Sequence, residues 1–331
     1  MPITITTPSR LHFGLIDLNG ELGRINGGIG VALENPGWKI IGYKNDELNS
    51  KIKLAKVDSN TKLAINKFDA FFNTKTMEVN FEIKRDLPVH MGLGSKTQFL
   101  LSIGTILAYN YGLKISPREI AKAVQRGGTS GIGVAAFEAG GFILDSGHSF
   151  GPGKQTNSFK PSSRSKAPPP PVIFQKYPPE NWRFIVIIPN IPEGASGDTE
   201  VKLFEDCCPI PAEQVEKLSR LILMKILPSF MEQDIATFGK GLTELQTEFH
   251  RFGMDRYDST LNNEILSDLR KYENVFGSGI SSFGPTMYAL TNSQESANQI
   301  IHQVNDNYSK NEIKYITASK VNTTGARIKI D

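Results

Sequence analysis

Cysteine is nearly missing from this chain: Cys207 and Cys208 are the only two, and they are adjacent. Neighbouring cysteines cannot frame a disulfide scaffold, and two cannot complete a four-cysteine zinc site, so a reducing compartment is expected. A charge excess is missing too. Lys plus Arg total 37 against 34 for Asp plus Glu, a formal balance of +3. That supplies no basic surplus for nucleic acid, and the chain has no Lys/Arg stripe interleaved with aromatics. Long apolar runs are absent as well. Segments such as Phe184 to Ile188 fall far short of the roughly 20 residues of a spanning helix, and residues 1 to 20 lack a signal-peptide layout. The expectation is a cytoplasmic protein with neither nucleic-acid nor membrane partner. What is present is 39% apolar side chains in 331 residues, enough to bury a sizeable core and to exclude a disordered chain. At roughly 100 to 200 residues per domain, this length favours two domains.

The chain opens with β-branched alternation over 2 to 8, the pattern of a strand. A glycine-dense stretch follows, SRLHFGLIDLNGELGRINGGIGVAL, from Ser9 to Leu33. Strand-like alternation returns at 38–43 and 77–83, and LPVHMGLGSKTQ then reads as a strand-to-helix junction. Apolar residues Phe99, Leu100, Ile103, Ile106 and Leu107 repeat at helical spacing up to about Gly112. Ser116, Pro117 and Glu119 form a capping box with proline at the first helical position. That helix is expected to run to about Arg126 and to empty into a second glycine loop, Gly127 to Gly133, before a strand over 142–144. Seven prolines between 161 and 179 mark a linker or extended surface loop and the expected boundary, giving domains 1–178 and 179–331. The second half reads as a buried strand 184–188, helices 212–227 and 232–250, a third glycine loop GSGISSFGPT at 277–286, a strand 287–290, a helix 295–305 and a closing strand 314–321. Met77, Trp182 and the aromatics of these helices are expected in the core.

Three glycine loops are where chemistry can sit. Gly92, Gly94 and Ser95 lie where a helix begins, and first-turn N–H groups with the helix dipole attract anions. Lys96 adds a full charge there. Alone, GLGS is equally the mark of an ordinary tight turn. GGTSGIG, with Thr129, Ser130 and Arg126 just upstream, offers a second set of bare N–H groups or a loop packed under a sheet. In the first stretch, Arg24 can bind a carboxylate or phosphate bidentately, and Asp17 can hold Mg²⁺ against a diphosphate; each is also readable as a surface charge. His12 is more often a packed histidine than a catalyst. A polyphosphorylated ligand needs several backbone donors converging on it, so three such loops strengthen one another.

Together and in this order, the loops resemble the GHMP kinase superfamily: a glycine-rich first motif, Pro88-Val-His-Met-Gly92-Leu-Gly-Ser95, and Gly277 to Thr286. Within it the chain is similar to the β-ribofuranosylaminobenzene 5′-phosphate synthases of methanopterin biosynthesis, on RLHFGLIDLNGELGRINGGIGVAL, RGGTSGIGVAAFEAGGFILDSG, the proline-rich stretch before Trp182, and SSFGPTMYAL. The resemblance implies an α+β fold with an N-terminal ribosomal-protein-like α/β domain and a C-terminal ferredoxin-like α+β domain. It implies condensation of 5-phosphoribosyl-1-diphosphate with 4-hydroxybenzoate or 4-aminobenzoate, releasing CO₂ and diphosphate, with Mg²⁺ and no organic cofactor, in a homodimer. Asp17 and Arg24 are then the catalytic candidates, with Asp17 facing the metal. Ser9, Arg10, His12, Asn26, Gly92, Gly94, Ser95, Lys96, Thr97, Gly128, Thr129, Ser130, Gly131, Ser281, Ser282 and Gly284 are the candidates for gripping substrate and phosphate. The alternative is an ATP-dependent small-molecule kinase. Such kinases often place an aspartate two residues after the Ser-Gly of the middle loop, whereas Ser130-Gly131 is followed here by Ile132 and Gly133.

Overall fold

A computed structural model describes residues 1–44, 59–74, 79–192, 197–250 and 259–330. Strand β1 (Ile3–Thr6) follows from its alternation, with Ile3 and Ile5 buried and the threonines half-buried. The glycine-dense stretch is mostly two strands, β2 (Ser9–Asp17) and β3 (Arg24–Leu33), paired antiparallel with a bulge between His12 and Gly14. Glycine is needed at position 30, where a Cβ would lie 2.4 Å from the Leu11 carbonyl oxygen.

Next come β4 (Lys39–Lys44), helix α1 (Ser59–Phe72), β5 (Val79–Arg85), α2 (Ser95–Asn110), α3 (Pro117–Ala123), α4 (Ile132–Glu138), β6 (Phe142–Asp145), β7 (His148–Ser149) and β8 (Val172–Lys176). The capping box starts α3 as its sequence requires: Glu119 N–H donates to Ser116 Oγ at 3.2 Å, and Ser116 N–H donates to Glu119 Oε2 at 2.7 Å. The second half comprises β9 (Arg183–Pro189), α5 (Asp198–Cys207), α6 (Ala212–Leu221), a π turn over 222–226, α7 (Leu227–Met231), α8 (Ile235–His250), α9 (Thr260–Leu269), β10 (Gly277–Ile280), β11 (Met287–Thr291), α10 (Gln294–Asn307), β12 (Ile313–Ser319) and β13 (Arg327–Ile330). No helix among the described residues is long and apolar enough to cross a membrane.

Among the described residues the strands form three antiparallel sheets, in the orders β13-β1-β4-β5, β2-β3-β6-β8 with β7 on β3, and β10-β11-β9-β12. The change of sheet between β8 and β9 falls at the end of the proline-rich segment. Two features differ from a simple division there. The last strand returns to the first half, where β13 pairs with β1 from Ile3↔Ile330 to Thr6↔Arg327. Residues 161–171 are packed on the protein rather than strung as a linker. Pro169 and Pro170 lie against Gly127 and Gly131 so closely that a Cβ on either glycine would be about 3.0 Å from the ring. His148 Nε2 lies 2.8 Å from the Pro168 carbonyl.

The halves share one apolar core. Phe13 of β2 is buried against Phe184 of β9 and Tyr288 of β11, with ring centroids 6.1 and 5.0 Å away. Phe142, Trp182, Phe230 and Phe238 form a second aromatic knot across the same seam. Trp182 is therefore core, as read from sequence; Met77 lies outside the described residues. This packing fixes β2 against the C-terminal sheet and so brings the glycine loops to one place.

Candidate active site

The loops meet through direct hydrogen bonds. Ser281 Oγ donates to the Gly92 carbonyl at 2.6 Å and accepts the His12 N–H at 3.0 Å, while Ser282 N–H donates to the His12 carbonyl at 2.8 Å. Thr286 N–H donates to the Met91 carbonyl at 3.2 Å, and Arg10 donates through Nη1 to the Gly92 carbonyl. Gly92, with φ +83°, has no alternative side chain: a Cβ would lie 2.3 Å from the Ser281 carbonyl oxygen. Gly94 caps α2 in the left-handed region at φ 75°. Beyond it the Thr97 N–H donates to the Gly94 carbonyl at 3.0 Å, and the first turn carries the positive end of the helix dipole.

Between the loops lies a cavity of about 410 Å³. Of the residues expected from sequence, Arg10, His12, Gly92, Gly94, Ser95, Lys96, Thr97, Thr129, Ser130, Ser282 and Gly284 line it. The hydroxyls of Ser95 and Thr129 donate to the Leu87 and Lys160 carbonyls, and Thr97 Oγ1 accepts from Arg126. The other five expected residues do not line it. Ser281 is the link just described; Gly128 accepts from Ser165 Oγ through its carbonyl; Gly131 N–H donates to Asp145 at 2.8 Å; Ser9 is buried; and Asn26 is buried beside His148.

The expectation that Asp17 and Arg24 face the same cavity is corrected. They belong to the outer end of the β2–β3 hairpin, not to a loop. Leu15 lines the cavity, and two strand residues farther on place Asp17 roughly 7 Å beyond it. Asp17 Oδ1 accepts the N–H groups of Asn19 and Gly20 at 2.8 and 3.0 Å, closing the hairpin turn. Arg24 is exposed and donates to the carbonyls of Ser146 and Gly147 at 3.1 and 2.9 Å.

Three residues gain weight from the geometry. Arg126, noted in sequence only as a neighbour of the second loop, lies on the cavity wall with its guanidinium fixed to Thr97 Oγ1. Glu200 of α5 is the one carboxylate among the described residues on that wall. Burial pushes it up to about 7, against the pull of Arg126. Nothing in its local sequence marks it, because α5 reaches the cavity only through the fold. Asp145 ends β6 beneath the second loop, where Oδ2 accepts from Gly131 N–H and lies 3.3 Å from Ser130 Oγ, and Oδ1 accepts from Gly147 N–H at 2.9 Å. Its signal was legible in retrospect: an acid closing the buried strand FILD. Burial pushes its carboxyl up to about 6, opposed by these N–H groups. Burial, reinforced by Arg10, pushes the His12 imidazole down to about 3, so it is neutral at working pH.

The cavity wall is thus rich in amides, hydroxyls and cations and poor in bases. It suits anionic groups that must be placed and neutralised.

Comparisons with known proteins agree with this geometry. Residues 60–141 match the GHMP kinases N-terminal domain and residues 226–310 the GHMP kinases C-terminal model. The homoserine kinase of Cytophaga hutchinsonii superposes with a TM-score of 0.65 at 16% identity, covering 99% of this chain and 97% of that one. The mevalonate kinase of Methanococcus jannaschii gives 0.66 at 13% identity, covering 97% and 98%. At such identities these likenesses speak for the fold alone. Curated relatives are much nearer. A protein of Methanocaldococcus jannaschii named β-ribofuranosylphenol 5′-phosphate synthase is 39% identical, over 98% of this chain and 99% of its own. One of the same name from Methanothermobacter thermautotrophicus is 40% identical, over 87% and 88%. With these relatives, and with both halves of the GHMP architecture in place, the chain belongs to the β-ribofuranosylphenol 5′-phosphate synthase family, a branch of the GHMP superfamily.

Proposed function

We propose that this enzyme condenses 5-phosphoribosyl-1-diphosphate with 4-hydroxybenzoate, forming a C–C riboside and releasing CO₂ and diphosphate. The phenol in the relatives' names supports the hydroxyl over the amino acceptor. The observation that carries the reading is the convergence of three glycine loops with Arg10, Lys96 and Arg126 on one cavity whose one carboxylate among the described residues is Glu200.

The C1–oxygen bond to diphosphate breaks and its electron pair leaves with diphosphate. The ring carbon bearing the carboxylate bonds to C1; the carboxylate then leaves as CO₂, and its bonding pair restores the aromatic ring. No net proton moves, so placement and charge neutralisation carry the catalysis, as this wall provides. The first turn of α2 and Lys96 grip the diphosphate, Arg10 and Arg126 offset the two anions' repulsion, and neutral His12, held by Ser130, shapes the floor beneath C1. Arg24 acts at one remove: it fixes the 145–147 turn whose Asp145 carboxylate holds the second glycine loop.

Mg²⁺ fits as a diphosphate counterion. It typically binds one or two carboxylates together with substrate phosphates. Among the described residues no three of His, Cys, Asp and Glu cluster at ligand distance. Glu200 would hold the ion at the cavity wall, while the Asp17 oxygen already closes a turn. When bound, Mg²⁺ neutralises charge on the leaving diphosphate.

The kinase alternative is weaker on one residue. Gly133, two residues after the Ser130-Gly131 pair where many such kinases carry an aspartate, lines the cavity and offers no side chain there. The test uses carboxyl-labelled 4-hydroxybenzoate with phosphoribosyl diphosphate and Mg²⁺. Labelled CO₂ without ATP is expected; ADP formation from ATP with an alcohol, and no CO₂, would overturn the reading. A homodimer and a cytoplasmic location remain part of this proposal, to be checked by light scattering and cell fractionation.

A further inference from the structure

Beside the glycine-loop cavity lies a second one of about 270 Å³, sharing Lys96, Arg126 and Ser163 with it. It is enclosed by α1, α2, the end of α3 and residues 163–166 of the proline-rich strap. Five cationic side chains line it, Lys67, Lys96, Arg126, Arg164 and Lys166, and among the described residues no Asp or Glu does. Arg164 is paired with Asp198 at 2.7 Å, outside this wall. Arg126 is spread over Thr97 Oγ1 and the Ser162 carbonyl, and its one opposing charge among the described residues is Glu200 on the far wall it shares with the larger cavity.

Such a cluster is costly without an anion, since like charges sharing a half-buried cavity disfavour one another's ionisation. Burial, with Arg126 and Lys166 nearby, holds the Lys67 amine below its ordinary range. Sequence separation argues against an accident of one basic run. Lys67 comes from a helix ahead of the first phosphate loop, Arg126 from the end of α3, and Lys166 from the strap.

We infer that this second cavity seats the sugar's non-reacting 5-phosphate, a phosphomonoester dianion held by Lys67 and Lys166, with Lys96 and Arg126 on the wall it shares with the diphosphate. The assignment rests on the proposed substrate and deepens it. The two reactants must meet at C1, so the ring, the acceptor and the leaving diphosphate occupy the larger cavity. The remote phosphate then has the adjoining basic one, where binding energy far from C1 fixes the sugar's orientation.

Titration calorimetry with ribose 5-phosphate, and separately with inorganic diphosphate, tests this on wild-type protein and on Lys67→Ala, Lys166→Ala and Lys67→Arg. Neither lysine is core: Lys67 is half-buried and Lys166 exposed, so the variants keep the fold, which thermal unfolding verifies. Ribose 5-phosphate is expected to bind about tenfold more weakly in each alanine variant and to recover in Lys67→Arg, with diphosphate changing less than about threefold. Weakening of diphosphate alone would place the leaving group here and overturn the assignment. Equal weakening of both would reduce the lysines to a general field, and unchanged binding of both would leave the cavity without a phosphoryl group; either overturns it. No turnover is read, so a protein that binds as expected yet releases no CO₂ fails the proposed reaction and not this subsite.

Discussion

His12 and Ser130, 118 positions apart, meet with Nε2 2.9 Å from Oγ, and the same hydroxyl lies 3.3 Å from Oδ2 of Asp145. With Ser130 donating to the carboxylate, its oxygen accepts the Nε2–H of a neutral imidazole. The cavity floor is therefore tied through one serine to a buried acid that also holds the backbone of Gly131 and Gly147.

Asp145→Asn should expose that dependence. An amide replaces one of the two accepting oxygens by N–H₂, which faces the N–H of Gly131 or Gly147 and leaves that buried donor unpaired at a cost of about 1–3 kcal/mol. Urea unfolding should show that loss, and steady-state kinetics a drop of about tenfold or more in kcat, because the second loop shifts under the reacting centre. A variant with wild-type stability and kcat would remove Asp145 from the scheme.

The same carboxyl gives a pH signature. Its folded value of about 6 lies above the ordinary 3.8, so between these the folded state binds the proton more tightly than the unfolded chain. Its contribution to stability is full at low pH and declines as pH rises from about 4 to about 6, by about 1–3 kcal/mol. The fall in unfolding free energy between pH 4 and 7 should be smaller in Asp145→Asn than in wild type.

His12 should stay neutral across the working range, its imidazole held at about 3 by burial and Arg10. Nitrogen-15 NMR of the ring should show no protonation down to about pH 4, and the kcat/KM profile should carry no inflexion from it near the usual 6.5. An imidazolium signal at pH 6 would contradict the geometry.

Arg24→Ala removes two hydrogen bonds to the carbonyls of Ser146 and Gly147 from an exposed position. A stability loss of about 0.5–1.5 kcal/mol is expected, with kcat falling more than the acceptor's KM rises, since the side chain acts through the turn. Asp17→Asn should leave the turn intact, as its amide oxygen can still accept from Asn19 and Gly20; thermal unfolding near wild type is the check.

Glu200→Gln should raise the Mg²⁺ concentration for half-maximal rate by about tenfold, measured by CO₂ release at saturating substrates. An unaltered Mg²⁺ dependence would leave the ion to the diphosphate alone.

Much of this molecule could be read from its residues because local rules there agree with the fold. The capping box at Ser116, the helix after Ser95 and the buried strand at 184–188 all stand where pattern placed them. Pattern carries the second glycine loop to Gly133, whereas α4 begins at Ile132 with its period hidden by Gly133 and short alanines, and α1, α5, α9 and β13 carry no comparable local signal. The deepest misreading was the first glycine stretch. Glycines at 28 and 30 are there because Ser130, Asp145 and the Leu11 carbonyl press against a strand, not because the backbone turns. Taking a strand for a loop put Asp17 and Arg24 beside His12, when strand rise separates them. Glu200 and the cations of the second cavity were invisible because only tertiary packing gathers them.

The pairing of Ile3 with Ile330 has a bearing on biogenesis. During synthesis the first sheet waits with one flank of β1 unfilled until residues 327–330 have been made, a ready docking edge for another nascent chain. Removing residues 327–330 would make that temporary exposure permanent.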